Sequence, residues 1–242
     1  MIAKAKAIQH GHNAINYAVN KEKAEIIRLN FLPQGITPDA MWLRMMAHQK
    51  LHEDRHSSRR PLKNNMIRIE VSPRPEESQG WTIEDWNILA KDFIEAFDAI
   101  DLSLRSKCTS LSNSQYVVAL HHDSKSGIPH LHIDANRIDM EGNINDAHFI
   151  YERAMEAAKF INQKRGWRQA THYSFRNKMK LSMDCNAVLS SMKTFSIDDF
   201  FKLLAEKGYE IRQQRDSRNK VRGYSVKMGN SIYKSSEIGT GR

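Results

Sequence analysis

The chain has 242 residues, and its 37 lysines and arginines outnumber 28 acidic residues for a formal net charge of +9. That length supports one sizeable core and a small second module, and the cationic excess is the footprint of a protein that meets a polyanion such as nucleic acid. Cys108 and Cys185 are too few for a disulfide framework or a cysteine zinc site. There is neither a membrane-length apolar run nor a signal-peptide core, so a cytoplasmic protein without membrane insertion is expected.

Met1 to Gln9 alternates small apolar residues with lysine and predicts an edge strand. Asn13 predicts an N-cap for a helix from about Ala14 to Leu29, with Ile15, Ala18, Val19 and Ile26 as its buried stripe. After the turn between Pro33 and Pro38, a second helix is expected from about Asp39 to Arg55. It carries His48, His52 and His56 on one face, and a basic linker with Arg59, Arg60 and Lys63 follows. Met66 to Ser72 alternates cleanly as a strand, with Ile67, Ile69 and Val71 opposite Arg68, Glu70 and Ser72. Thr82 caps a helix reaching Ile100. Gln115 to His121 and His130 to Asp139 form a hairpin-like strand pair, and Ala147 to Arg165 is a further helix.

Beyond Gly166-Trp167 the texture changes. Residues 170 to 190 predict helix and linker, and Ser196 caps a helix from Asp198 to Lys207 that Gly208 ends. Short strands follow at Tyr209 to Arg212, Gly223 to Met228 and Ile232 to Ser235. Two domains are therefore expected, residues 1–168 and a small basic αβ module over 169–242. The closing Gly-Thr-Gly-Arg is no natural stop signal, so the chain is expected to be a piece of a longer one.

Chemistry concentrates in the central strand pair. Residues two apart on a strand share a face, so His130 and His132 point the same way. A third imidazole from the neighbouring strand would complete three neutral ligands, leaving a divalent cation its full charge for polarising a substrate oxygen. His121 is the expected third ligand and His122 the alternate. Tyr116, Val118 and Leu120 form the bulkier apolar set that packs on helices, which leaves His121 with His130, His132 and Asp134 on an exposed face. Asp123 follows on the His121 side, where it can orient an imidazole. The His48, His52 and His56 trio lacks the zinc-protease His-Glu-x-x-His pattern and reads as a polar helix face.

His121-x-Asp123, Pro129-His130-Leu131-His132 and Asn136-Arg137 together resemble the third motif of plasmid-mobilisation relaxases, members of the HUH endonuclease superfamily. Residues 66–73, ending in Ser-Pro, resemble the second motif, and residues 14–21 around Tyr17 resemble the first. Arg68 departs from the pattern, because many relatives carry a histidine there. The resemblance spans about residues 1–165 and implies an α+β fold, a central antiparallel sheet with helices packed on one face.

It further implies strand-specific nicking at an origin of transfer for conjugative mobilisation. Tyr17 would be the nucleophile of a 5′-phosphotyrosyl intermediate, and its standing alone fits the single-tyrosine class. The implied cofactor is Mg²⁺ or Mn²⁺ on His121, His130 and His132, although imidazoles also suit zinc or nickel. Asp123 and Glu70 are the candidates for orienting a ligand or taking the proton. The implied partner is single-stranded origin DNA with an adjacent hairpin, together with accessory mobilisation proteins and a coupling protein. Arg55, Arg59, Arg60, Lys63, Arg137, Lys164, Arg165 and Arg168 are the expected DNA contacts. Trp42 and Trp167 either stack on bases or belong to the core. The competing readings are a rolling-circle initiator or single-strand transposase of the same superfamily, and a non-catalytic zinc-containing DNA-binding protein.

Overall fold

The computed structural model describes residues 1–53, 62–104, 106–122, 127–229 and 231–238, with 170–173 described by backbone alone. Two compact units divide the chain, Met1–Gln169 and Ala170–Arg242. In chain order the first contains β1 (Ile2–Ile8), α1 (Gly11–Asn20), β2 (Glu25–Asn30), α2 (Pro38–Leu51), β3 (Met66–Ser72), α3 (Pro75–Ser78), α4 (Ile83–Ala99), β4 (Ser114–His121), β5 (His130–Asp139) and α5 (Ile150–Lys164).

The five strands form one antiparallel sheet in the order β1-β3-β5-β4-β2, which makes β1 an edge strand. Alternation sorts its faces. Ile67, Ile69 and Val71 of β3 join Val118 and Leu120 of β4 and Ile133 of β5 beneath α4 and α5. Thr82 caps α4 by accepting from the Asp85 amide, worth about 1 kcal/mol. Burying Phe93, Phe97 and Leu89 contributes about 1.5–3 kcal/mol each, so packing rather than capping holds that helix.

This is the larger helical layer. The opposite face also carries helices, because Ala14 and Ile15 of α1 and Met41 and Met45 of α2 close over Met66 and Val117. The two helices meet where Gly11 lies under Trp42; a Cβ at Gly11 would sit 2.2 Å from the indole.

The first helix is shorter than its apolar spacing predicts. It begins at Gly11 rather than after Asn13 and ends at Asn20. Lys23 then takes a left-handed conformation, φ 60°, and the chain turns into β2, where Ile26 is exposed instead of buried. Pairing with β4 from Glu25↔Leu120 to Asn30↔Tyr116 satisfies the backbone there, and tertiary pairing overrides the helical period. The helix expected from Ala147 starts at Ile150. Asp146 holds the preceding turn by accepting from the amides of Lys107 and His148, and Phe149 is left-handed at φ 52°.

The second unit runs α6 (Ala170–Ser191), α7 (Ile197–Glu206), β6 (Glu210–Arg215), β7 (Val221–Met228), β8 (Ser231–Lys234) and α8 (Ser235–Ile238). Its antiparallel sheet, β6-β7-β8, packs Val226 and Tyr233 on Leu181, Phe200 and Leu204 of α6 and α7. No helix among the described residues is long and apolar enough to cross a membrane.

Candidate active site

Strand register assembles the site. β4 and β5 pair with His121 directly opposite His130, and His132 follows two residues on along the same face. The ring centroids lie 4.2 Å apart for His121 and His132, 4.9 Å for His130 and His132, and 5.4 Å for His121 and His130. The ligand nitrogens of all three lie within 4.8 Å of one another, the one such histidine-containing cluster among the described residues.

The face that was expected to be exposed is covered. His121, His132, Asp134 and Asn136 are buried because α1 and α2 lie over them, and only His130 is half-exposed. Asn136 helps to fasten that cover. Its amide donates to the carbonyl of Met45 and to Gln115, and its oxygen accepts from Gln49.

Hydrogen bonds assign the protons. Nε2 of His121 donates to the carbonyl of Ala18 at 2.8 Å, so Nδ1 carries the lone pair. Nδ1 of His130 donates to the carbonyl of Ile128 at 3.0 Å, leaving Nε2 as the lone-pair nitrogen. Nδ1 of His132 accepts from Nη2 of Arg68 at 3.0 Å, and its Nε2 lies 3.1 Å from Nε2 of His130. Burial, then the crowding imidazoles of His121 and His130 and the charges of Arg68 and Lys21, pushes His132 down to about 2, so it is a neutral ligand at any working pH. Three neutral imidazoles with two lone pairs already converging fit a divalent cation.

α1 brings Tyr17 to the open side of this cluster. Its ring centroid is 5.5 Å from those of both His121 and His132, and the side chain is 48% exposed, accessible to a macromolecular substrate. The Arg68 guanidinium stands 4.8 Å from the same ring, and Nζ of Lys21, one helical turn on, 5.5 Å. Arg68 therefore touches the tyrosine, a histidine of the cluster and, at 3.8 Å, the carboxylate of Asp134. Burial drives Asp134 up to about 7, the Arg68 charge only partly opposing it. The alternation of β3 placed Arg68 on this face, but nothing in the sequence showed how much it contacts. Glu70 sits directly across from His132 on β3.

Other expected residues lie elsewhere. His122, the alternate ligand, points away and pairs with Glu25 at 2.7 Å. A one-residue step along a strand reverses the face, which separates it from the cluster. Asp123, Arg55, Arg59, Arg60 and His56 lie outside the described residues. Lys63 is exposed. Arg137 is not a surface cation: it is half-buried and donates to the carbonyls of Asn64 and Asn145, fixing a loop. Lys164 and Arg165 both pair with Asp92, and Arg165 also lies against Trp81 and Trp167. Trp167 packs on the main core, and Trp42 on the α1–α2 cluster. Arg168 is exposed. His48 hydrogen-bonds the carbonyl of Asp139, and the His52 ring meets His48 edge-on and lies against Gly142, where a Cβ would come within 2.5 Å; both are architectural.

The family model described as "Relaxase: MobA/VirD2-like, nuclease domain" matches residues 17–167. Among solved structures, the metal-bound conjugative relaxase TrwC in complex with oriT DNA is similar at 10% identity and a TM-score of 0.42, over 91% of this chain and 74% of that one. No curated protein matches the chain. A match that begins at Tyr17 and takes in both strands of the histidine cluster is enough to place the chain: it belongs to the MobA/VirD2-like relaxase family, whose nuclease domain nicks DNA for conjugative transfer.

Proposed function

We propose that the chain nicks one strand at an origin of transfer through Tyr17. The phenolic oxygen attacks the scissile phosphorus, a Tyr17 O–P bond forms, and the P–O3′ bond breaks. The phenolic proton passes to a base, for which Glu70 and Asp123 are the candidates, and the leaving oxygen takes up a proton to become a 3′-hydroxyl. One phosphodiester replaces another, so the 5′-phosphotyrosyl link keeps the bond energy for later rejoining. The observation that supports this reading most is the position of Tyr17, solvent-accessible and 5.5 Å from two rings of the histidine cluster.

His121, His130 and His132 would hold a divalent ion, Mg²⁺ or Mn²⁺ in the cell, with zinc or nickel accepted in vitro. When bound, it supplies Lewis-acid stabilisation of the charge that builds on the phosphate oxygens. The chain's own residues do the remaining work. Ala18 and Ile128 carbonyls fix two imidazole orientations. Arg68 and Lys21 hold the tyrosine ring and place fixed positive charge where a phosphate must sit. The substrate we infer is single-stranded origin DNA beside a hairpin, delivered with accessory proteins and a coupling protein.

The test uses 5′- and 3′-labelled single-stranded origin oligonucleotides with Mn²⁺, followed by a denaturing protein gel. The wild-type chain should give an SDS-resistant labelled band with the fragment on the 3′ side of the nick, and Tyr17→Phe should give none while binding the same DNA. An adduct persisting in the Phe variant would refute Tyr17 as nucleophile. Tight binding without an adduct from any wild-type preparation would favour a non-catalytic DNA-binding protein.

A further inference from the structure

Most of the net positive charge lies outside the unit that carries the candidate active site. Ala170–Arg242 holds 14 lysines and arginines against 7 acidic residues, a net +7 of the chain's +9, whereas Met1–Gln169 holds 23 against 21. A polyanion drawn by bulk charge is therefore drawn mainly to the second unit.

Within that unit the cations have an address. Val226 and Tyr233 point into its core, with Ile211, Tyr224 and Met228 packed beside them. By alternation, the register that pairs Arg212 with Ser225 and Ser225 with Lys234 places those three side chains on the other face of the sheet. The neighbouring row on that face is Glu210, Lys227 and Ile232. Glu210 pairs with Arg212 at 3.0 Å and with Lys227 at 2.8 Å, so three cations share the face with one carboxylate that phosphates must displace. Gly223 and Ser225 keep the middle strand low, and no aromatic side chain stands on that face, because Tyr224 and Tyr233 both belong to the inner one. At the hairpin tip, Asp216 accepts from the amides of Arg218 and Lys220 and shapes the turn. Both cationic side chains there are exposed and have no ion-pair partner among the described residues.

We propose that this sheet face binds duplex DNA, with Arg212, Lys227 and Lys234 on backbone phosphates and the basic hairpin tip extending the contact. The lack of aromatic platforms argues against single strands, which are held largely by base stacking. The two outer strands of a three-stranded sheet lie about 10 Å apart, within the roughly 12 Å width of the major groove, which accepts β-structure. The inference rests on the DNA-nicking reading only for the identity of the polyanion. A duplex stem beside the nick is the form of DNA such an enzyme would meet while its first unit handles the single strand.

The test measures full-length chain binding by fluorescence anisotropy to a labelled 20-base-pair duplex of mixed sequence and to a labelled 20-nucleotide oligo-dT, across a salt series. The face variant combines Arg212→Gln, Lys227→Gln and Lys234→Gln. A control with the same charge change combines Lys180→Gln, Lys193→Gln and Lys202→Gln, which are exposed and lie off the sheet. Loss of three phosphate contacts lowers the slope of log K against log[salt] by about 2.7. The face variant should show that drop and at least a tenfold weaker duplex affinity at low salt, with oligo-dT binding unchanged. The control should stay within threefold of wild type. Equal losses in both variants would mean bulk charge alone, and an unaffected face variant would place the duplex elsewhere; either result overturns the proposal. Arg212→Gln alone, which should lower the slope by about 0.9, covers the case in which the triple variant does not fold. Absence of nicking with duplex binding intact would count against the catalytic reading only.

Discussion

Replacing Arg68 with glutamine should tighten metal binding and slow nicking at the same time. Nη2 of Arg68 donates to Nδ1 of His132 at 3.0 Å, so the proton of neutral His132 lies on Nε2, facing His130 3.1 Å away. Ligation through Nε2 requires that proton on Nδ1 instead, and the Arg68 hydrogen bond must then break. A hydrogen bond to a charged group is worth about 1.5–3 kcal/mol, so that much opposes loading in the wild-type chain. Glutamine reverses the preference, because its amide oxygen can accept from a protonated Nδ1. Mn²⁺ affinity measured by titration calorimetry should rise about ten- to a hundredfold. The guanidinium 4.8 Å from the Tyr17 ring is lost in the same substitution. Removing one such source of positive charge from a transition state typically lowers turnover about a hundredfold or more. Unchanged or weaker Mn²⁺ binding, in a variant whose melting temperature stays near wild type, would refute the tautomer argument. The guanidinium would then have no hold on His132 that a metal must overcome.

Two further substitutions probe the same face. His121→Ala should lower Mn²⁺ affinity at least about a hundredfold and abolish nicking, whereas His122→Ala should leave both within a few-fold, since only His121 faces the cluster. Equal effects of the two in calorimetry would disprove the assignment. Asp134 gives a pH signature. Burial raises it to about 7, so the folded state binds a proton between about pH 4 and 7 that the unfolded chain has released, and stability falls as pH rises through that window. Asp134→Asn imitates the protonated acid. Its denaturant stability relative to wild type should therefore grow by about 2–3 kcal/mol from pH 5 to pH 8, and parallel pH curves would show that Asp134 does not titrate in this range.

Strand periodicity alone makes most of the sheet readable. Met66 to Ser72 and the β4–β5 pair carry alternation that sorts both the core and the histidine cluster, so His121, His130 and His132 are legible as a set. What periodicity could not provide was the second cover. Short polar residues such as Asp134 and Asn136, alternating with Ile133 and Ala135, look like a solvent face. They become interior only because Ile15, Met41 and Met45 bring α1 and α2 down on them. The same limit hid β2. Ile15, Ala18, Val19 and Ile26 fit a helical repeat by count, but the backbone beyond Asn20 is satisfied by β4, a partner about ninety residues away that no local window contains. Basic residues misled in another way: a cation in a sequence reads alike whether it meets a phosphate or, as with Arg137 and Arg165, a carbonyl, a carboxylate and an indole of its own fold.

That ambiguity matters for how binding and chemistry divide. With 23 basic against 21 acidic residues, the first unit exerts little net long-range pull on DNA, and charge within it acts locally. Arg68 and Lys21 lie within 5.5 Å of the Tyr17 ring, inside the Debye length of about 8 Å at physiological ionic strength, and Arg68 is also shielded by burial. The exposed cations of the second unit have no such protection, so salt weakens them first. If both proposals hold, the chain would capture DNA through contacts that ions in solution can tune, and would hold the scissile phosphate through contacts they scarcely reach. On that reading, release and religation would be governed by the weaker, outer set without loosening the geometry around Tyr17.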